Sequence, residues 1–181
     1  ARAWSVGRNP WVRLPLILWG CFVLARVLTH AQSFTPFDWL NLGIHELGHV
    51  LTVFFGQFIH VVSGSIAQVA VPVGSIFMFV RQRDYFGAAF CLCWLAESLL
   101  HLSHYIGDAR DRVLPLASLF QGEPLHDWHF LLSTLGLLPW TRTIAGAAWV
   151  LALLSVAAYL VLGSWLLWRM ARSAVNRAPE V

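Results

Sequence analysis

Apolar stretches alternate with short polar breaks along this chain, in a pattern that predicts helices throughout. Residues 11–29 are apolar over a length that suits a hydrocarbon core of about 30 Å and are read as a spanning helix. Arg26, near its far end, has a stem long enough to reach the polar boundary. A second helix is expected over 36–55: Thr35 sits at its cap, Pro36 in its first turn, Asp38 near its N-terminus, and Gly56 marks its stop. Residues 63–80 are also apolar but are interrupted by Gly64, Pro72 and Gly74. That stretch is therefore expected to be broken or re-entrant, with a hairpin at Pro72-Val73-Gly74. After the polar turn Arg81-Gln82-Arg83-Asp84, spanning helices are predicted over 85–106 and 143–168. Residues 107–142 form the one long polar connection, an external loop with an amphipathic piece at 114–120 and an interfacial helix running from His126 to the stop at Pro139. The expected fold class is an all-α integral membrane protein, a single domain over 1–181 with about four to five transmembrane helices plus a re-entrant or interfacial segment.

Composition supports that picture: the chain is 58% hydrophobic and 12% charged, with ten Trp, which suits a bilayer better than a soluble core. The formal net charge is +3, and every basic residue is Arg. The arginines gather at segment ends rather than along one face, so they report topology and not nucleic-acid binding. Placing the N-terminus, residues 81–83 and the C-terminus in the cytoplasm puts eight of the twelve Arg inside. This arrangement needs an even number of crossings before Arg81, so either the 36–55 helix dips and returns or 63–80 forms a hairpin; the broken 63–80 stretch favours the hairpin. Cys21, Cys91 and Cys93 lie in apolar runs and read as small buried hydrophobes, not a disulfide framework. The first apolar run lacks a small-x-small site after it and is expected to remain in place.

The chemistry concentrates in His45-Glu46-Leu47-Gly48-His49, inside the predicted 36–55 helix. One helical turn separates the two histidines, so both imidazoles leave the same face. Two neutral imidazoles at that spacing can bind one Zn²⁺, with Glu46 beside them as a general base that takes a proton from water and passes it to a leaving amine. Polar side chains that merely pack helices are the bland alternative, but ionisable groups amid Leu, Ile, Val and Phe are costly unless used. A catalytic zinc needs a third protein ligand, and the candidates are Asp127, His126, Asp108, His101 and His104. His126-Asp127-Trp128-His129 is the densest of these clusters, although Asp127 equally suits a helix start. Glu97, His101, His104 and Asp108 form a polar stripe on one face of the 85–106 helix and its end. His101 and His104 are read as groups supporting the metal or contacting substrate, or as a helix end facing water; with Arg142 they are also candidates to stabilise an oxyanion. Gln68 is read either as an interhelical hydrogen bond or as a substrate contact. Haem or a chlorin pigment, ligated axially by the histidines, is the less favoured cofactor, because an i, i+4 pair points both rings to one side.

A zinc-binding pair within a membrane helix resembles the site-2-protease type of intramembrane metalloprotease. The chain is more closely similar to a group of small bacterial membrane metalloprotease-like proteins. The matching pieces are His45 to His49, Phe54-Phe55-Gly56-Gln57-Phe58, Gly64-Ser65-Ile66-Ala67-Gln68, Arg81-Gln82-Arg83-Asp84-Tyr85-Phe86, Tyr105-Ile106-Gly107-Asp108-Ala109-Arg110 and His126-Asp127-Trp128. Together they cover roughly residues 40–146. The resemblance implies His45 and His49 as zinc ligands, Glu46 as base, and a place in the bacterial inner membrane. It leaves the third ligand open, since the Asp-Gly-type motif of site-2 proteases is missing from its usual setting, and the chain has Ser98 and His101 where the small group carries Asn and Asp. Two functions follow as expectations. One is a zinc protease or hydrolase acting on a membrane-protein substrate; the other is a non-catalytic subunit of a larger membrane assembly.

Overall fold

The computed structural model describes residues 4–30, 34–115 and 125–175. Its helices are α1 (Leu14–Thr29), α2 (Pro36–Thr52), α3 (Gln57–Arg81), α4 (Tyr85–Gly107), α5 (Asp127–Thr134) and α6 (Thr141–Val175). Short 3₁₀ turns follow α2 at Val53–Phe55 and precede α6 at Leu138–Trp140, and no strand occurs among the described residues. Most of the piece expected at 114–120 lies outside those residues.

The predicted punctuation of α2 forms as physical chemistry asks. Thr35 accepts from the Phe37 amide at 3.2 Å, and Asp38 reaches back to the Thr35 amide, closing a capping box. Gly56, at φ 85°, takes a backbone shape that side chains resist, and the chain reverses there into α3.

The broken segment at 63–80 requires correction. Pro72 lies inside the continuous 25-residue helix α3, with no hairpin at Pro72-Val73-Gly74. Proline fixes φ at a value a helix accepts, so its cost is one lost amide bond and a clash with the preceding turn. That cost is borne where neighbouring helices pack, and Pro72 is itself fully buried. The lengths of α2 and α3 are accordingly the reverse of the expectation: α2 has 17 residues, α3 has 25.

Among the described residues, three helices are long and apolar enough to cross a membrane: Gln57–Arg81, Tyr85–Gly107 and Leu138–Ala174; α1 is apolar but shorter. α4 is the central one. Ala89, Cys93, Ala96 and Leu100 are completely buried, and α6 brings Ala152 into the same core, while its Ala145 and Ala148 pack with Leu102 and Ile106 in a second cluster. Small residues let helices approach closely where dispersion, not water, drives packing. Ser103 donates to the Ala145 carbonyl (2.9 Å) and Tyr159 to the Ile17 carbonyl (2.8 Å), so α6 is tied to α4 at one end and to α1 further along.

Contacts between elements order them along one axis. The Trp4 ring meets Tyr85 edge-on at 6.1 Å, Arg13 lies 5.6 Å over Phe86, and Ser173 donates to the Ser5 carbonyl. The N-terminal segment, the start of α4 and the end of α6 therefore share one end of the bundle. α2 begins elsewhere. Phe37 stacks on Trp94 at 6.3 Å and sits 5.9 Å from Phe90, so the helix starts about halfway along α4. It then runs to the opposite end, where His45 lies 6.4 Å from Tyr105.

Candidate metal centre

α2 and α3 form a tight helical hairpin, so residues equidistant from the Phe54–Phe55 turn face one another. His49 meets His60 and His45 meets Gly64 by this rule. The closeness depends on glycines with no room for a side chain: a Cβ on Gly48 would come 2.5 Å from the Ser63 carbonyl oxygen. One on Gly64 would come 2.7 Å from His45 Nε2 and 2.6 Å from His49 Nε2. Gly64 is thus the floor of a cradle between the two imidazoles.

The rings of His45 and His49 lie 4.7 Å apart. Both turn Nδ1 outward onto an oxygen that can only accept: His45 onto Gln68 Oε1 at 3.3 Å, His49 onto the His60 carbonyl at 2.6 Å. The proton must therefore sit on Nδ1 in each ring, which leaves both Nε2 lone pairs directed inward. His60 reciprocates through its own Nδ1, which donates to the His49 carbonyl at 2.9 Å.

The third arm comes from α5. Asp127 Oδ2 lies 2.9 Å from His45 Nε2 and 3.3 Å from His49 Nε2. Donors about 2.1 Å from a shared tetrahedral ion stand ~3.4 Å apart, close to this spacing. Two imidazole lone pairs and a carboxylate oxygen, all acceptors, thus converge on one point. Only positive charge reconciles them, and a proton serves one pair where an ion serves all three. His45, His49 and Asp127 form a largely buried group that could hold a metal ion.

The remaining candidates take other places. His126 caps α5: its Nδ1 accepts from the His129 amide at 3.2 Å, so its Nε2 carries the proton toward Asp108 Oδ2 at 3.3 Å. Burial lowers the His126 imidazole below its usual value, against the pull of Asp108. Asp108 also accepts from the Val113 and Leu114 amides, so this pair holds the chain just after α4 against the start of α5 and offers no ligand to the centre. The Tyr105 hydroxyl accepts from the Asp127 amide at 2.9 Å, fixing the start of α5 over the histidines. His101 turns away toward Asp38 and Glu97. His104 lines a cavity beside the centre, and its buried Nδ1 has no hydrogen-bond partner among the described residues.

That cavity, about 1440 Å³, is walled by His45, Glu46, His49, Gln68, Tyr105 and Asp127 among others. Glu46 is buried and makes no hydrogen bond or ion pair to another described residue. Arg142, at the start of α6, is not among the residues that line it.

The roles of Gly64 and His60 went unread in the sequence. Their signal is the hairpin's symmetry about Phe54–Phe55, which becomes visible only once α3 is known to start at Gln57 and run unbroken.

Fold and site together define an all-helical protein with apolar, bilayer-length helices and an embedded His-His-Asp cluster. No family model, no curated protein and no solved structure matches the chain.

Proposed function

We infer that this chain is a membrane-embedded zinc metalloprotease or hydrolase of the site-2-protease type, acting on a membrane-protein substrate in the bacterial inner membrane. The observation that carries the reading is the convergence of His45 Nε2, His49 Nε2 and Asp127 Oδ2 above Gly64, with both Nδ1 atoms committed to carbonyl oxygens. Histidine ligands oriented by outer oxygens are the usual construction of a zinc site. When bound, zinc polarises a carbonyl and brings the acidity of its water toward neutrality. Glu46, buried on the same wall and uncommitted to any described neighbour, accepts the proton and returns it to the leaving amine. His104 lines the same cavity and is the candidate to donate to developing negative charge. Two rings 4.7 Å apart that aim at one point leave no space for a tetrapyrrole between them, which weighs against haem or a chlorin.

The placement of α2 supports a revised topology. α1 crosses outward, the chain re-enters to the middle of the bilayer, α2 returns outward, and α3 crosses back. Two crossings then precede Arg81, with both termini and residues 81–83 cytoplasmic. The metal helix is the segment that dips and returns.

Elemental analysis of the detergent-purified protein tests the reading. His45→Ala is expected to lower zinc by one equivalent per chain, and Glu46→Gln to keep that zinc while abolishing cleavage of a panel of membrane-spanning peptides. No difference in zinc between wild type and His45→Ala overturns the metal centre. Zinc retained, with no peptide cut by wild type, leaves the non-catalytic subunit.

A further inference from the structure

Asp38, Glu97 and His101 form another ligand cluster deeper in the bundle. Each offers one ligand atom, and the three atoms lie within 4.8 Å of one another. Asp38 comes from the first turn of α2, while Glu97 and His101 stand one turn apart on α4. Asp38 and His101 also line the cavity that holds the first centre.

Glu97 is 0% exposed. Its Oε1 accepts from Thr35 Oγ1 at 2.6 Å and its Oε2 from Asn41 Nδ2 at 2.7 Å. Both donors are neutral. Among the described residues, His101 is the only potential cation within ion-pair distance of Asp38 or Glu97. It does not close on either: Nδ1 is 3.4 Å from Asp38 Oδ1, and Nε2 is 3.4 Å from Glu97 Oε1. Good hydrogen bonds of this kind run about 2.7–3.2 Å. Nε2 is moreover buried and has no hydrogen-bond partner among the described residues, although it lies nearest a carboxylate oxygen. A buried carboxylate with no close cation is expensive. One imidazole nitrogen serves one ion: the Nε2–Glu97 Oε1 pair, 3.4 Å apart, has the spacing of two donors sharing an ion at roughly 2.1 Å, and one ligand atom from each of the three residues lies within 4.8 Å of the others.

We propose that Asp38, Glu97 and His101 form a second divalent-cation site, distinct from the His45–His49–Asp127 centre. Two carboxylates and one imidazole make it richer in oxygen, which suits a first-row ion such as Mn²⁺ as well as Zn²⁺. Seven residues of α2 separate Asp38 from His45, about 10 Å of helix. A two-metal catalytic pair needs about 3.5–4 Å, so this ion does not share the reacting groups. It acts as a clip, fastening the first turn of α2 to the middle of α4 and so setting the height at which His45 and His49 stand.

The test uses the full chain carrying His45→Ala, in detergent, stripped with chelator and titrated with Mn²⁺ alone. That background lacks the first centre, so the result is independent of whether that centre holds zinc. One Mn²⁺ per chain is expected by equilibrium dialysis, with a nitrogen coupling from one imidazole in its electron-spin spectrum. Adding Asp38→Asn, which still caps α2, is expected to weaken binding at least 100-fold, and adding His101→Gln to remove the nitrogen coupling. No stoichiometric Mn²⁺ in the His45→Ala protein overturns the site. So does binding left unchanged, within threefold, by Asp38→Asn, or a nitrogen coupling that survives His101→Gln. If one of the two fails to fold, the other decides.

Discussion

Replacing Gly64 by alanine is the smallest change that separates the metal centre from the fold around it. The new Cβ would stand 2.6 Å from His49 Nε2 and 2.7 Å from His45 Nε2. Ordinary contact between such atoms begins near ~3.4 Å, so each ring must retreat by roughly 0.7 Å. Metal bonds tolerate only about 0.2 Å, and at least one imidazole leaves bonding range. Disturbing the outer oxygens of a zinc site typically costs 10–100-fold in affinity. Displacing a ligand outright costs more, so zinc affinity is expected to fall at least 100-fold. Alanine is also the better helix former by up to about 1 kcal/mol. The rings can turn aside when no ion holds them, so the metal-free protein is expected to unfold within a few degrees of wild type. The assay is competition for zinc against a fluorescent chelator of known affinity, with the thermal midpoint of the metal-free protein recorded beside it. Zinc affinity within threefold of wild type would refute the argument, because the cradle would then have no part in holding the ion. A metal-free protein that no longer folds would show Gly64 to be needed for helix packing instead.

Other substitutions probe the neighbouring links. Gln68→Ala removes the oxygen that holds the His45 Nδ1 proton and is expected to weaken zinc binding 10–100-fold while leaving one equivalent bound at saturation; unchanged affinity removes Gln68 from the centre. Asn41→Ala deprives Glu97 of one donor and Trp94 Nε1 and Ser98 Oγ of their acceptor. Each orphaned group costs about 1–3 kcal/mol, so a drop of several kcal/mol is expected in the unfolding free energy measured in detergent, and a loss under about 1 kcal/mol contradicts the buried network. Tyr105→Phe withdraws the hydroxyl that accepts from the Asp127 amide. It is expected to weaken zinc binding several-fold without changing stoichiometry, measured by the same chelator competition.

Several features are written locally and were legible in the amino-acid order. Apolar runs predict helices because periodicity and length are properties of neighbouring residues. Thr35, Pro36, Asp38 and Gly56 bracket α2 because caps and stops act through bonds two or three residues away. The i, i+4 spacing sets His45 and His49 on one face without any help from the rest of the chain. The expected break at Pro72 failed because a proline's cost depends on what packs around it, and here the surrounding helices accommodate it.

What only the tertiary structure decided are the partners that arrive from a distance. Asp127 reaches His45 across 82 positions because Tyr105 and the His126–Asp108 pair fix where α5 begins. The sequence put Asp127 first as third ligand but kept His126, Asp108 and His101 as alternatives, since each is an ionisable group near an apolar run. Docking separated them: His126 and Asp108 pair with each other, and His101 joins Asp38 and Glu97. Spacing along a helix is a short-range geometric constraint. Which carboxylate completes a site depends on how whole helices pack, and that packing rests on many weak contacts no single stretch of sequence contains.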